Sequence, residues 1–589
     1  MDKQMLLDLF FADHLGLFVH WGLFSVAAGV WKGQELGPYE LGEGIQRSFR
    51  IPLAEYRELA GQFKPKETYA DDLVRAAKAA GMRYVVITTK HADGFCLFRT
   101  AVNTYNAYDT VGRDLLLELA DACRRHGLKL GLYYNHTLDF SEPHSPGSIT
   151  ASGIKRDEPV ANDWDFPDTE HKDYSIFLHK KVMPQVRELL TGYGDILLMW
   201  FDYPHNITPE QCHELYALVK SIQPDCLVNS RIGNIVSDYY DLGDNQIPTV
   251  PMDVPQECLV TLNDTWGYKK TDHNWKEPGQ IIDMIARSAS CGANLLVNVG
   301  PMSDGSLTPE TESILEGVAA WVARNREAVY HTRRNPFRTT FDWGHLAAAN
   351  RKLYLYLHDG AAKTIEINGL ESRITSVTGL PDHKPVAFVQ SAARVTITLP
   401  DSEWDLPVYC VQLAEPVRVD DSMLQQGDSL RLHPIWASKV TLRDNVPVAS
   451  AVNKEINIFD KDNAKRGLAV NRVAVVAGWQ KADEYLQWQA RFTRPGTYRI
   501  ELVSLPGEHI GNELCGVEVA VGGQHITAPI LSEDYSFAVS KTGKENKRIA
   551  SICGDCRVES EGFVTVSLKR LQTSAVNIPL VWLAVKRIG

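Results

Sequence analysis

The sequence predicts an α/β chain in which a (β/α)8-like catalytic barrel over residues 1–335 precedes two β-sandwich domains, 336–450 and 451–589. Three observations carry this expectation. Strand-like and helix-like segments alternate through the first 335 residues, and the strands are continuously apolar, as buried parallel strands are. Beyond Pro336 the rhythm changes to short strands of period two, separated by turn pairs such as Asp359-Gly360 and Asn368-Gly369. A chain of 589 residues also exceeds what one hydrophobic core accommodates.

The barrel elements follow in order. Leu15–Trp21 reads as a first strand, and helices follow at 54–63 and 70–80. Tyr84–Thr88 is the next strand. Asp114–His126 is an amphipathic helix with Leu115, Leu116, Leu119, Ala120 and Cys123 on one face. Lys129–Tyr134 is a strand, and a long helix at 171–190 leads to the apolar run Ile196–Phe201. A helix at 211–221 and a strand at 227–229 come next, then a helix at 281–290, a strand at 295–299 and a helix at 310–324. A doubly wound sheet is the alternative, but no GxGxxG or P-loop opens a helix. In the first sandwich, strands are expected at 353–357, 364–367, 395–399 and 408–411, and residues 416–450 read as a connector.

Composition narrows the function. The net charge of −12 argues against nucleic acid or an anionic membrane as partner. No run approaches the roughly 18 apolar residues of a membrane span. The first residues show no basic n-region or cleavage site, so a cytoplasmic protein is expected. The ten cysteines are scattered through apolar settings and read as free, buried thiols. Cys553-Gly-Asp-Cys556 is the only CxxC, too little for a metal site.

The chemistry gathers at strand ends. The run Ile196–Phe201 stops in a carboxylate, Asp202, which is expensive at the mouth of a buried strand unless it has a task. His20-Trp21-Gly22, Lys90-His91-Ala92-Asp93, Tyr134-Asn135-His136, Asn229-Ser230-Arg231 and Gln256-Glu257-Cys258 also mark strand ends or later elements. In a barrel these converge on the C-terminal face, where active sites sit. Two carboxylates, several His, a Tyr, an Arg and Trp suit a neutral polyhydroxylated substrate and permit glycoside hydrolysis. No HxH or HExxH supplies zinc ligands, so no metal or other cofactor is expected, and no GxSxG marks a serine hydrolase.

Seven motifs in order resemble the α-L-fucosidases of glycoside hydrolase family 29 over about residues 12–335. They are Gly16–Gly22, Thr89–Phe95, Tyr133–His136, Glu188–Gly194, Trp200-Phe201-Asp202, Asn263–Tyr268 and Asn294–Pro301. The resemblance implies a retaining exo-α-L-fucosidase acting on fucosylated oligosaccharides. Asp202 matches the family nucleophile. Asp195 precedes the strand and would sit at its opposite end. Glu257, in Gln256-Glu257-Cys258, stands where the family often has Trp-Glu-Thr and is taken as the acid/base, with Asp253, Asp244 and Glu277 open. Sugar contacts carry over to His20, Trp21, Glu43, His91, Tyr134, Trp200, Arg231 and Trp266. Ala92 replaces a family His, and Gly44 a family Trp. These departures keep two other readings open: a non-catalytic fucose-binding protein, or a barrel glycosidase for a related sugar such as a galactoside. The 451–589 unit resembles sugar-binding sandwich modules through Gly478-Trp479 and Tyr485-Leu486-Gln487-Trp488, although these Trp serve equally well as core. That added β module is also compatible with a homo-oligomer.

Overall fold

The computed structural model describes the chain except residues 1, 39, 147–161, 205–206, 234–235, 252–253, 359–362, 403–404, 438, 441–468, 471–475, 478, 480–481, 483, 505–515, 531–535, 538–547, 574–577 and 579. Asp253, Gly478 and Cys515 therefore lie outside the described residues. Two compact units form. The first is Met1–Asn245, Val254–Ile281 and Ala293–Ala323; the second is Gln246–Asp253, Ile282–Gly292 and Arg324–Gly589.

The first unit holds eight parallel strands: β1 Leu15–Val19, β2 Tyr84–Lys90, β3 Lys129–Asn135, β4 Leu198–Asp202, β5 Leu227–Val228, β6 Tyr240–Asp241, β7 Gln256–Thr261 and β8 Ala293–Val299. Their order is β5-β4-β3-β2-β1-β8-β7-β6, the sequential order of a β/α barrel. The two edges meet through side chains: Ser230 Oγ and Asn229 Nδ2, just past β5, both donate to Asp241 Oδ1 on β6. Helix Leu115–His126 shows how local sequence sets an element. Asp114 caps its N-terminus by accepting from Leu117 N, and Gly127 ends it in the left-handed region. The five apolar residues expected on one face are buried.

Side chains alternate in and out along each strand. Phe18, Tyr84, Val86, Tyr133, Leu198, Trp200, Leu259 and Leu296 face inward and form one cluster. An unanticipated N-terminal helix, α1 Lys3–Asp13, adds Leu7 and Phe10 to that cluster. Phe10 packs on Tyr84 and Tyr239, toward the N-terminal ends of the strands. Gly16 has no side chain because a Cβ there would lie 2.4 Å from the Tyr84 ring.

A register shift between Thr88 and Lys90 turns Lys90 outward, over the rings of Tyr134 and Phe177. Its ammonium lies 3.0 Å from Asp139, which also meets Lys181 at 2.8 Å, all three being buried. Removing the shared carboxylate takes the ion-pair partner from buried Lys90 and leaves buried Lys181 only Glu142, 3.8 Å away, and the Ser141 hydroxyl. Asp139→Ala should therefore lower stability by about 3–5 kcal/mol, read from the midpoint of chemical unfolding.

The second unit contains two β-sandwiches. In the first, strands Gly344–Ala349, Lys352–Leu357, Val408–Leu413 and Ile374–Gly379 form one sheet; Thr364–Asn368, Arg394–Thr398 and Ala387–Ser391 form the other. Leu353, Leu355, Ile365, Ile367, Val395 and Ile397 fill the core between them. The second sandwich begins earlier than expected. Met423–Leu424 and Ser429–Leu432, read as connector, pair with Tyr485–Phe492 and Leu580–Arg587. Trp479 and Trp488 are wholly buried in its core, donating to Glu484 O and His433 O. The tryptophans that suggested a sugar-binding face thus do core work. Cys553 and Cys556 lie on the strand Arg548–Val558 as free, buried thiols. Among the described residues, no helix is long and apolar enough to cross a membrane.

Candidate active site

A pocket of about 320 Å³ opens at the C-terminal ends of the barrel strands. Asp202 stands in it at the tip of β4. Tyr133 donates its hydroxyl to Asp202 Oδ2 at 2.9 Å, and Arg231 Nη1 reaches Oδ1 at 3.1 Å. The guanidinium also binds Asp241 through Nε, and Leu242 O and Asp244 Oδ1 through Nη2, at 3.0 and 2.8 Å. It lies 4.9 Å from the Trp200 ring. One cation thus serves three carboxylates. Burial raises the Asp202 carboxyl, Arg231 opposes that, and Asp244 adds to it. Burial also pushes the Tyr133 phenol up, so it stays a donor.

The wall is aromatic. Trp200, Tyr133 and His91 stack in series, with ring centroids 5.6 and 5.4 Å apart. His20 sits beside Trp266, 5.3 Å between centroids. Asn298 donates through Nδ2 to Trp266 O, so its oxygen faces His20 Nδ1, 2.7 Å away. His20 Nδ1 must then carry the proton, which makes Nε2 the acceptor. Burial lowers the His20 pKa to about 4, so the ring is neutral. The buried His91 Nδ1 meets no hydrogen-bond partner among the described residues. Glu43 accepts from Gly267 N at 2.8 Å, and burial pushes its carboxyl up to about 7. Tyr203, directly after Asp202, has φ +57°, a strained conformation for a bulky residue, and its carbonyl accepts from Thr137 Oγ1.

A sequence profile of the Alpha-L-fucosidase family matches residues 1–327, more than half of the chain. The chain belongs to the alpha-L-fucosidase family. It is a glycoside hydrolase of that family. It is 28% identical over 355 residues to the tissue alpha-L-fucosidase of Mus musculus, covering 56% of this chain and 73% of the mouse protein. Alpha-L-fucosidase AlfC from Lactobacillus casei, solved in complex with alpha-L-fucose product, is 38% identical; the match covers 54% of this chain and 97% of that one, with a TM-score of 0.51. Over nearly the whole length the fold matches an alpha-L-fucosidase from Vibrio sp. strain EJY3, at a TM-score of 0.81 and 24% identity, covering 99% of this chain and 98% of that one.

Of the residues expected in the fucosidase pocket, His20, Glu43, His91, Trp200, Asp202, Arg231 and Trp266 line it together. Three do not. Trp21 follows the inward His20 and points away, packing on Phe63 and Tyr69 and donating to Met302 O. Tyr134 likewise faces outward and donates to Gln185. Its neighbour Tyr133, paired with Trp200 across β3 and β4, is the pocket tyrosine. Glu257 is second on β7, level with Asn294 near the start of β8, and fully buried. It accepts from Trp200 Nε1 at 3.1 Å and from the hydroxyls of Tyr84 and Tyr239. It braces Trp200 and does not line the pocket. Among the three carboxylates held open beside it, Asp244 does; Asp253 falls outside the described residues, and Glu277 is not a lining residue. Phe18, Leu41, Tyr203 and Leu259 complete the lining unanticipated.

The placement of Glu257 has a measurable consequence. Burial pushes its carboxyl up to about 7 from an ordinary 4.5. The folded state therefore holds this proton more tightly than the unfolded chain does. Its contribution is full below about 4.5 and is lost as pH rises to about 7, by up to ~3 kcal/mol. Glu257→Gln removes the titration, so the variant should gain on the wild type between pH 5 and pH 8. Unfolding midpoints at the two pH values check this, and equal slopes would refute it.

Proposed function

We propose that the chain is a retaining exo-α-L-fucosidase that hydrolyses terminal α-L-fucosyl linkages of fucosylated oligosaccharides. The observation that carries this is Asp202 in an aromatic-walled pocket, gripped by Tyr133 and Arg231, with a second carboxylate, Asp244, on the same guanidinium. The lining joins an aromatic wall to carboxylates, imidazoles and one guanidinium, the mixture that suits a terminal sugar. The apolar stretch of Phe18, Leu41 and Leu259 suits a sugar whose C6 is a methyl group. His20 Nε2 and the His91 imidazole offer polar atoms to its hydroxyls.

In the first step Asp202 attacks the anomeric carbon while the leaving oxygen takes a proton, giving a β-fucosyl ester. In the second, water attacks the same carbon from the α face, and the general base receives its proton. Asp244 supplies both proton transfers. Its side chain is 55% exposed, placing it at the mouth where the leaving group must stand. Glu43 is 4% exposed and held by backbone, which suits a fixed contact to a sugar hydroxyl. A shared guanidinium keeps Asp202 and Asp244 close, which favours the carboxylate spacing of about 5–5.5 Å in retaining enzymes over the wider inverting one.

The test is hydrolysis of 4-nitrophenyl α-L-fucoside followed by proton NMR. We expect 4-nitrophenol release with α-L-fucose as the first sugar product. β-L-fucose first would replace the retaining mechanism with an inverting one. Fucose binding without turnover would favour a binding protein.

A further inference from the structure

Outside the pocket, among the described residues, one side-chain cluster has the geometry of a metal centre. Asp283, His345 and His358 each present one ligand atom, and these atoms all lie within 4.8 Å of one another. All three belong to the second unit, whereas every pocket-lining residue belongs to the first. We propose that Asp283 Oδ1, His345 Nε2 and His358 Nδ1 bind a zinc ion, the fourth position being taken by water.

Two rigid elements hold the ligands. Asp283 lies on the helix Pro278–Cys291. His345 lies on the strand Gly344–Ala349, which pairs with Lys352–Leu357, and His358 follows that second strand. His345 stands opposite Tyr356, so His358 is its diagonal neighbour on the same face of the hairpin. The imidazole rings are 4.9 Å apart and nearly perpendicular, at 80°. Crossed rings bring two nitrogens toward one point without stacking.

The distances suit zinc. Asp283 Oδ1 is 3.2 Å from His345 Nε2 and 3.3 Å from His358 Nδ1. A tetrahedral site with bonds of about 2.0–2.1 Å has ligand-to-ligand edges of roughly 3.3–3.4 Å. Two imidazoles and one carboxylate also match the ligand types that zinc takes when a position stays open to water. Arg287, one turn along the helix, is the nearby opposing charge. It is committed elsewhere, donating to the carbonyls of Pro248 and Ile247. The cluster is partly exposed, with side chains 26%, 18% and 41% accessible for Asp283, His345 and His358, so an ion can enter.

The competing account is a plain hydrogen-bonded triad in which both rings donate to one carboxylate oxygen. Calorimetric titration of the tag-free, EDTA-treated full chain with zinc chloride separates the two. Zinc should bind saturably at one ion per chain and raise the unfolding temperature by mass action. Loss of an outer-shell partner alone weakens metal sites by about 10–100-fold, so His345→Ala and His358→Ala should each weaken binding at least that much. His358 is the more exposed, so its variant keeps the test readable if His345→Ala fails to fold, with circular dichroism as the check. Absence of saturable binding, or binding undiminished in both folded variants, would overturn the proposal.

Discussion

Asp202→Ala should lower kcat on 4-nitrophenyl α-L-fucoside by at least about a thousandfold, which is ~4 kcal/mol of transition-state stabilisation. Among the described residues the other carboxylates are placed for other tasks, Asp244 standing exposed at the mouth. Glu43 is tied to Gly267 N, and Glu257 lies beneath Trp200, away from the pocket. The fold should survive, because Arg231 retains Asp241, Asp244 and Leu242 O as partners. Stability should even rise slightly: burial and Asp244 both disfavour the Asp202 charge in the resting protein. A site that holds a carboxylate against its preference gives up stability for reactivity. Azide is small enough to occupy the vacated space and attack the substrate directly. It should restore turnover and yield β-fucosyl azide, the inverted product. Full activity without azide would remove Asp202 from the mechanism.

The residues legible in the sequence share one property: they sit where a run of one kind of residue ends. Asp202 terminates an apolar run, and His20 terminates another, so their exposure to a common face follows from the barrel. Tyr133 and Tyr134 could not be told apart in that way. A parallel strand buried on both faces carries no polar alternation, so its phase is fixed only by its neighbour, here through the pairing of Tyr133 with Trp200. Glu257 misled for a related reason. The resemblance placed it beside the nucleophile, but β7 runs four residues beyond it to Thr261, which puts it near the wrong end of the strand. Asp244 follows a strand of two residues, Tyr240–Asp241, too short for any periodicity to register. Arg231 fixes its position from across the seam between β5 and β6. The ligands Asp283, His345 and His358 are far apart in sequence and meet only when the hairpin is folded against the helix, so no spacing rule finds them. The barrel, by contrast, follows from a local strand signal that recurs six times along the chain, so missing a two-residue strand such as Tyr240–Asp241 matters little.

Asp244→Ala should separate the two chemical steps. A natural glycosidic oxygen is a poor leaving group and needs the proton, so turnover of a fucosyl disaccharide should fall by about 10²–10⁴-fold. Nitrophenolate leaves without help, so formation of the fucosyl ester from the nitrophenyl substrate should stay fast. Its hydrolysis should then be slow, because no base activates water. The signature is a burst of nitrophenol followed by a low steady rate. Azide needs no base, and it attacks the ester from the α face, so it should accelerate the steady rate and yield α-fucosyl azide. The Asp202 variant gives the opposite anomer, so the azide product assigns each carboxylate its role independently of rate. Glu257→Gln should show neither burst nor azide acceleration, since its amide still accepts from Trp200 Nε1 and keeps the ring in place. If instead the azide adduct appeared with Glu257→Gln, or with Glu43→Ala, and not with Asp244→Ala, the proton donor would move to that residue. The exposure of Asp244 at the mouth would then serve the aglycone and not the bond that breaks.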